Sequence, residues 1–163
     1  MQISSIEPCS MVNGDGCRMV VVFQGCSLNC TGCFSKKLQN FNAGKTISYK
    51  RLAEMVAREY KESKILEGIT LSGGNPQEQP ELLDFLEILR ELLPKKANIW
   101  LWSGFTMDEI NKKKALQDHL QYIDVVITGR FDQTKKIEHP YFGSSNQEAW
   151  RKKNNEWNLD ENG

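Results

Sequence analysis

Apolar residues along this chain fall into short β-branched runs separated by stretches with helical spacing. Residues 19–24 (Met-Val-Val-Val-Phe-Gln) form a nearly continuous apolar run, the pattern of a buried strand. Ser48 can cap a helix that carries Leu52, Met55, Val56 and Tyr60 at spacings of three and four. Residues 68–72 (Gly-Ile-Thr-Leu-Ser) predict a second strand, halted by Gly73-Gly74-Asn75-Pro76. Pro80 opens a second helix, with Leu82, Leu83, Phe85, Leu86, Leu89 and Leu93 among its apolar residues, and Pro94 closes it. Residues 98–102 predict a third strand, Thr106-Met107-Asp108-Glu109 has capping-box spacing, and residues 123–128 predict a fourth strand.

Strands alternating with helical stretches imply β-α-β units, hence an α/β fold with a parallel sheet covered by helices. Right-handed crossovers place the loops after the strands on one sheet edge, where ligands of parallel sheets bind. Each of these loops carries glycine: Gln24-Gly25-Cys26, Ser72-Gly73-Gly74, Trp102-Ser103-Gly104 and Thr128-Gly129-Arg130. All four are therefore expected at one site. With 163 residues the chain is too short for an eight-fold barrel, which takes about 250, so a small, open, partial (β/α) barrel is expected. Residues 1–150 are read as the working domain. Residues 151–163, rich in Lys, Asn, Glu and Asp, are read as a polar surface tail.

Composition narrows the setting. Lys+Arg and Asp+Glu are equal at 21 each, so no global charge draws in nucleic acid or an anionic membrane. The longest apolar runs are about five residues, against about 20 for a membrane span. The first residues have neither a basic region nor a hydrophobic signal core, so a cytoplasmic location with reduced thiols is expected.

Five cysteines remain to be explained. Cys26, Cys30 and Cys33 form a C-x3-C-x2-C motif in Gly25-Cys26-Ser27-Leu28-Asn29-Cys30-Thr31-Gly32-Cys33-Phe34. A 4Fe–4S cluster usually takes four cysteines; held by three, it keeps one iron open for a non-protein ligand. Three alternatives compete. Structural zinc wants four ligands, and only Cys9, Cys17, His119 or His139 could supply the fourth. Disulfides suit short secreted chains, and an odd cysteine count leaves one over. A redox pair of Cys30 and Cys33 leaves Cys26 without a role.

The motif resembles that of the radical S-adenosylmethionine (SAM) enzymes. Further stretches are similar to one family among them, the activating enzymes of anaerobic (class III) ribonucleotide reductase. These are Val12-Asn13-Gly14-Asp15-Gly16-Cys17-Arg18, Leu71-Ser72-Gly73-Gly74-Asn75-Pro76, Ile99-Trp100-Leu101-Trp102-Ser103-Gly104-Phe105, Asp124-Val125-Val126-Ile127-Thr128-Gly129-Arg130-Phe131 and Gly143-Ser144-Ser145-Asn146-Gln147. The resemblance implies a partial barrel of the radical SAM type, with Cys26, Cys30 and Cys33 as cluster ligands. It implies that one electron, from a donor such as flavodoxin, cleaves SAM to a 5′-deoxyadenosyl radical. That radical takes a hydrogen from a glycine Cα of the anaerobic ribonucleoside-triphosphate reductase. Gly32, Cys33 and Phe34 would meet SAM and its adenine, Gly73, Gly74 and Asn75 its ammonium, and Ser103 its ribose or carboxylate. Ser144, Ser145 and Asn146 would bound the cavity or dock the partner. The chain departs from the family at Asn75 and Thr128, where acids are usual, and at Glu148, where Arg is usual. Asn75 weakens the charge contribution to an ammonium.

Two other functions fit the same motif: activation of a different glycyl-radical enzyme or Cα modification of a peptide, and a non-catalytic module stabilised by zinc or a cluster. Trp100 and Trp102 share a strand face and are expected in the core. Cys9 and Cys17 are expected as small buried or incidental residues, His119 and His139 as surface groups, and Lys112, Lys113 and Lys114 as a solvated helix face.

Overall fold

The four apolar runs become the parallel centre of one mixed sheet. The computed structural model describes residues 1–160. Its strands are β1 (Gln2–Ser10), β2 (Arg18–Phe23), β3 (Lys45–Thr46), β4 (Gly68–Gly73), β5 (Asn98–Trp102), β6 (Val125–Thr128), β7 (Glu148–Lys153) and β8 (Glu156–Leu159), in the order β3-β1-β2-β4-β5-β6-β7-β8. The neighbours β2, β4, β5 and β6 pair in parallel; the two strands at each edge join antiparallel. The helices are α1 (Tyr49–Glu62), α2 (Leu82–Leu92), α3 (Met107–Lys112) and α4 (Lys114–His119). Ser48 caps α1 by accepting from Arg51 N at 3.3 Å, and the Thr106–Glu109 capping box of α3 is complete. Among the described residues no helix is long and apolar enough to cross a membrane.

Period-two alternation divides the sheet between two different coverings. Met19, Val21, Phe23, Ile69, Leu71, Ile99, Leu101 and Val126 join the main core with Leu52, Val56, Phe85, Leu86, Leu89 and Ile110 of the helices. Each such fully buried side chain stabilises the fold by roughly 1.5–3 kcal/mol. The central strands follow one another across the sheet in a single direction, so right-handed crossovers lay every helix on the same face. The helices thus cover one face rather than both. On the other face Trp100, Val125, Ile127 and Ala149 form a second cluster, closed by Trp102, Tyr141 and Phe142.

The edges depart most from the sequence-based expectation. β1 carries few buried apolar residues, Ile3 among them, because its outer side pairs only with the two-residue β3; such an edge leaves a weak hydrophobic pattern. The polar stretch from residue 151 is not a loose tail as far as residue 160: it completes β7 and forms β8, and residues 161–163 lie outside the described residues. Asn154 and Asn155 take φ of 52° and 64°, the paired left-handed turn that asparagines favour between antiparallel strands. Cys9 and Cys17, expected as small buried or incidental residues, are joined in a disulfide across the loop between β1 and β2; Cys17 is buried, and the bond corrects the expectation that all thiols are reduced.

Two polar side chains are buried in the interior, one between strands and one on a helix. Arg18 is fully buried and donates from Nε to Thr70 Oγ1 (2.8 Å) and from Nη2 to Ile69 O (2.9 Å), joining β2 to β4. Its guanidinium lies 4.9 Å from the centre of Trp100. Burial lowers its pKa to about 10, which leaves it cationic at neutral pH. His119 is buried at 7% exposure, not on the surface as its sequence context suggested, and its Nδ1 lies 3.4 Å from Gln77 Nε2.

Burial lowers the His119 pKa from 6.5 to about 4. As pH falls through 6.5 the unfolded chain takes up a proton that the folded chain refuses until about pH 4. Stability is therefore unaffected by this group above pH 6.5 and falls by about 3 kcal/mol on acidification to pH 4. We expect denaturation midpoints to show this acid slope, and His119→Gln to flatten it. An unchanged slope in the variant would place the titration elsewhere.

Candidate functional site

The loops after β2, β4, β5 and β6 converge on one cavity of about 400 Å³, within the range of small-molecule sites. Its walls include Cys26, Cys30 and Cys33 from the first loop, Gly73 and Gly74 from the second, Ser103 and Gly104 from the third, and Gly129, Arg130 and Phe131 from the fourth. The three cysteines are free and half-buried. Their loop is pinned at its start: Gly25 N donates to Leu38 O (2.7 Å) and Cys26 N to Gln39 O (3.2 Å). The fully buried Gln24 gives both amide protons to Lys37 O and Asn40 O, each at 2.8 Å, and so closes the loop on itself. Asn29 and Gly32 turn the chain through left-handed φ of 54° and 74°, spacing the second and third thiols. Burial pushes the Cys26 thiol up, partly offset by a backbone hydrogen bond from Leu28, with Glu78 adding to the rise.

The Gly73-Gly74 pair is required by the protein's own backbone. Gly73 has φ of 111°, and a Cβ there would stand 2.4 Å from Phe23 O; one on Gly74 would stand 2.3 Å from Gly25 O. In that space Gly74 N donates to Phe23 O and Asn75 N to Gly25 O, both at 2.9 Å, extending the β2–β4 pairing into the two loops. Asn75 is fully buried rather than on the cavity wall; Gly104 N lies 3.5 Å from its Oδ1, and its Nδ2 has no hydrogen-bond partner among the described residues. Ser103 reaches the wall, but its hydroxyl donates to Gln77 Oε1 (2.6 Å) and accepts from Phe105 N (3.0 Å). Phe34 is 89% exposed at the cavity mouth, edge-on to Phe131 with ring centres 6.3 Å apart.

The sequence placed the loop after β6 at the site, but not the contacts that shape the remaining wall. Arg130 projects from the loop after β6 and is gripped by Glu109 through two bonds of 2.8 and 2.9 Å. Arg130 holds the Glu109 carboxyl down at about 2, so the pair stays ionised. Gly143-Ser144-Ser145-Asn146-Gln147 clamps this loop: Asn146 Nδ2 donates to Arg130 O (2.8 Å), Gln147 Nε2 to Gly129 O (3.0 Å), and Ser144 Oγ accepts from Asp132 N (3.1 Å). Trp102, Tyr141 and Phe142 supply aromatic wall, and Trp102 Nε1 donates to Tyr141 O at 2.9 Å. Trp100 is core as expected, whereas Trp102, expected there too, is only partly buried and lines the cavity; the rings stack with centres 5.7 Å apart. Thr128 is buried, its hydroxyl 3.4 Å from Glu148 O, and contributes a strand end rather than a charge.

The donor set suits a cluster better than a single ion. Among the described residues no three His, Cys, Asp or Glu side chains converge on one ion. A cubane gives each thiolate its own iron, so three sulfurs need only rim a common space, as these do. The fourth ligand that tetrahedral zinc would need has no ready source: Cys9 and Cys17 are bonded to each other, His119 is packed against Gln77, and His139 stacks on Phe142 with ring centres 3.8 Å apart.

Comparison with known proteins agrees with an iron–sulfur cluster domain. Residues 12–150 match the 4Fe-4S single cluster domain family. The anaerobic ribonucleoside-triphosphate reductase-activating protein of Enterobacteria phage T4 is 30% identical over 163 residues, covering 98% of this chain and 100% of that protein. The proteins of the same name from Pasteurella multocida and Escherichia coli K12 are 34% and 33% identical, covering 88% and 90% of this chain and 93% and 96% of their own lengths. A 4Fe-4S match across all four strand-end loops, the cysteine loop among them, with similarity over most of the length of three such proteins, places the chain in the family of anaerobic ribonucleoside-triphosphate reductase-activating proteins.

Proposed function

We propose that this protein is a radical SAM activase that installs a glycyl radical on an anaerobic ribonucleoside-triphosphate reductase. The observation that carries this reading is the placement of three free cysteines on the wall of one cavity built by four strand-end loops. On this reading the open sheet with helices on one face is a partial (β/α) barrel of the radical SAM type. Cys26, Cys30 and Cys33 would hold a 4Fe–4S cluster, and the rest of the cavity would take SAM. When bound, such a cluster would supply the single electron for reductive cleavage of SAM's carbon–sulfur bond, the chemistry from which a glycine hydrogen would be abstracted.

The chain's own residues bind, orient and exclude water. Gly73 and Gly74 bring side-chain-free backbone to the cavity wall, where an ammonium can approach it, and Arg130 offers a cation to a carboxylate while Glu109 fixes its direction. Gly32 and Phe34 flank Cys33, where Phe34 is free to fold over a base. Asn75 and Ser103 act from beneath: Asn75 brings an unpartnered buried donor to the glycine loop, and Ser103 ties that region to Gln77. Trp102, Tyr141 and Phe142 line the cavity with rings that keep water from a reactive carbon radical. The partner is the glycyl-radical subunit of the reductase, the electron donor is a low-potential protein such as flavodoxin, and the setting is an anaerobic cytoplasm.

Anaerobic reconstitution tests this directly. We expect about four irons and four sulfides per chain, reductive formation of 5′-deoxyadenosine from SAM, and an EPR doublet on a co-incubated reductase. One tightly held zinc and no colour would end the reading. Cys30→Ala is expected to lose the cluster and all SAM cleavage, whereas Cys9→Ala keeps both; equal damage from the two would overturn the ligand assignment. Gly74→Ala, whose Cβ meets Gly25 O, is expected to cost about 1–3 kcal/mol and to reduce iron uptake by shifting the cysteine loop. Wild-type iron content in that variant would show that the loop contact is dispensable.

A further inference from the structure

Glu78 makes a contact that the proposed chemistry above leaves unused. It ends a single 3-10 turn, Pro76–Glu78, that follows the glycine pair. The residues on either side are buried and engaged: Gln77 Oε1 accepts from Ser103, and Gln79 Nε2 donates to Gln24 O at 2.8 Å. With the turn so fixed, the Glu78 carboxylate faces Ser27, the residue immediately after Cys26. Its two oxygens lie 3.1 and 3.3 Å from Ser27 N, and it also accepts the Ser27 hydroxyl. Every polar hydrogen of Ser27 thus goes to one carboxylate 51 positions away. Among the described residues no Lys or Arg forms a salt bridge with Glu78, unlike Glu109, which Arg130 neutralises.

Two electrostatic consequences follow for anything bound at Cys26. N–H and O–H groups next to a ligating cysteine are the natural donors to cluster and thiolate sulfur, and such hydrogen bonds make reduction easier. Glu78 takes both from Ser27. Adding an electron to a cluster also makes it more negative, and a carboxylate without a cation partner opposes that. Both effects act in the same direction.

We propose that Glu78 is a positioning residue that lowers the reduction potential of the cluster, by holding the Ser27 N–H and hydroxyl away from its sulfurs and standing as an unneutralised charge beside Cys26. The inference rests on the cluster reading above. A lower potential makes the single electron more strongly reducing, as cleavage of a sulfonium carbon–sulfur bond demands.

The test is a potentiometric titration of the reconstituted full chain without SAM, followed by the EPR signal of the reduced cluster. Glu78→Gln keeps the shape and an acceptor for Ser27 but removes the charge; Glu78→Ala also frees the Ser27 donors. Glu78→Gln is expected to raise the ratio of reduced to oxidised cluster about tenfold at a fixed applied potential, a shift of about 59 mV for one electron, and Glu78→Ala to raise it further. Should one variant fail to hold iron, the other carries the test. Wild-type potentials in the variants that load would overturn the proposal. Loss of iron from both, with unchanged unfolding of the metal-free chain, would overturn it in favour of a purely holding role. A wild-type chain that takes up no iron and sulfide is a distinct result and removes the cluster reading itself.

Discussion

Two peptide hydrogen bonds govern this site: Gly74 N to Phe23 O and Asn75 N to Gly25 O. They prolong the parallel pairing of β2 and β4 past the last strand residues, into what would otherwise be two independent loops. Backbones can approach this closely only because neither Gly73 nor Gly74 carries a Cβ. The cysteine loop therefore inherits the rigidity of the sheet centre. Flexible side chains at three loop positions would hold a cofactor poorly; three side chains on a loop laced to the core hold it well. The Glu78–Ser27 contact continues the same seam by one more turn.

One-sided helix packing explains why the opposite face has room for a cavity. All crossovers lie against the odd-numbered positions of β2, β4 and β5, which form the main apolar core. The even-numbered face is instead roofed by loops, and these are tied down by polar contacts rather than by helices. Asp15 accepts from Arg151 Nη2 at 3.0 Å and from the Tyr141 hydroxyl, while Arg18 and Arg151 each lie 4.9 Å from the centre of Trp100. A loop roof on a rigid floor accommodates ligands more readily than a helical layer would.

The central strands and the helix starts were legible because their signals are local. Val20, Val21 and Phe23 report burial by composition alone, and the Thr106–Glu109 spacing reports a cap that the backbone then uses. The edges were not, because β1 and β8 present polar residues to solvent, and the Asn154-Asn155 turn is the only local sign of the final hairpin. At the site, the cysteine spacing named the first wall. Arg130 and Gln147 lay in stretches the sequence singled out, but their contacts could not be read there: each works through a partner distant in sequence, Glu109 for the first and Gly129 O for the second. His119 was misplaced for the same reason, since its burial depends on Gln77 across the core. The Gly-Ser-Ser-Asn-Gln segment was visible as a motif, but its role as a clamp on the loop after β6 required the fold.

The wall of the cavity is assembled from opposite ends of the chain. Cys26, Cys30 and Cys33 leave the ribosome early, while Arg130, Tyr141 and Gln147, which enclose the same space, are made more than a hundred residues after the first thiol. Synthesis proceeds from the N-terminus at about 5–20 residues per second, so the sulfurs spend several seconds without their enclosure. The enclosure is consequently complete only once Gln147 has been made, and until then the three thiols stand without the later half of their wall.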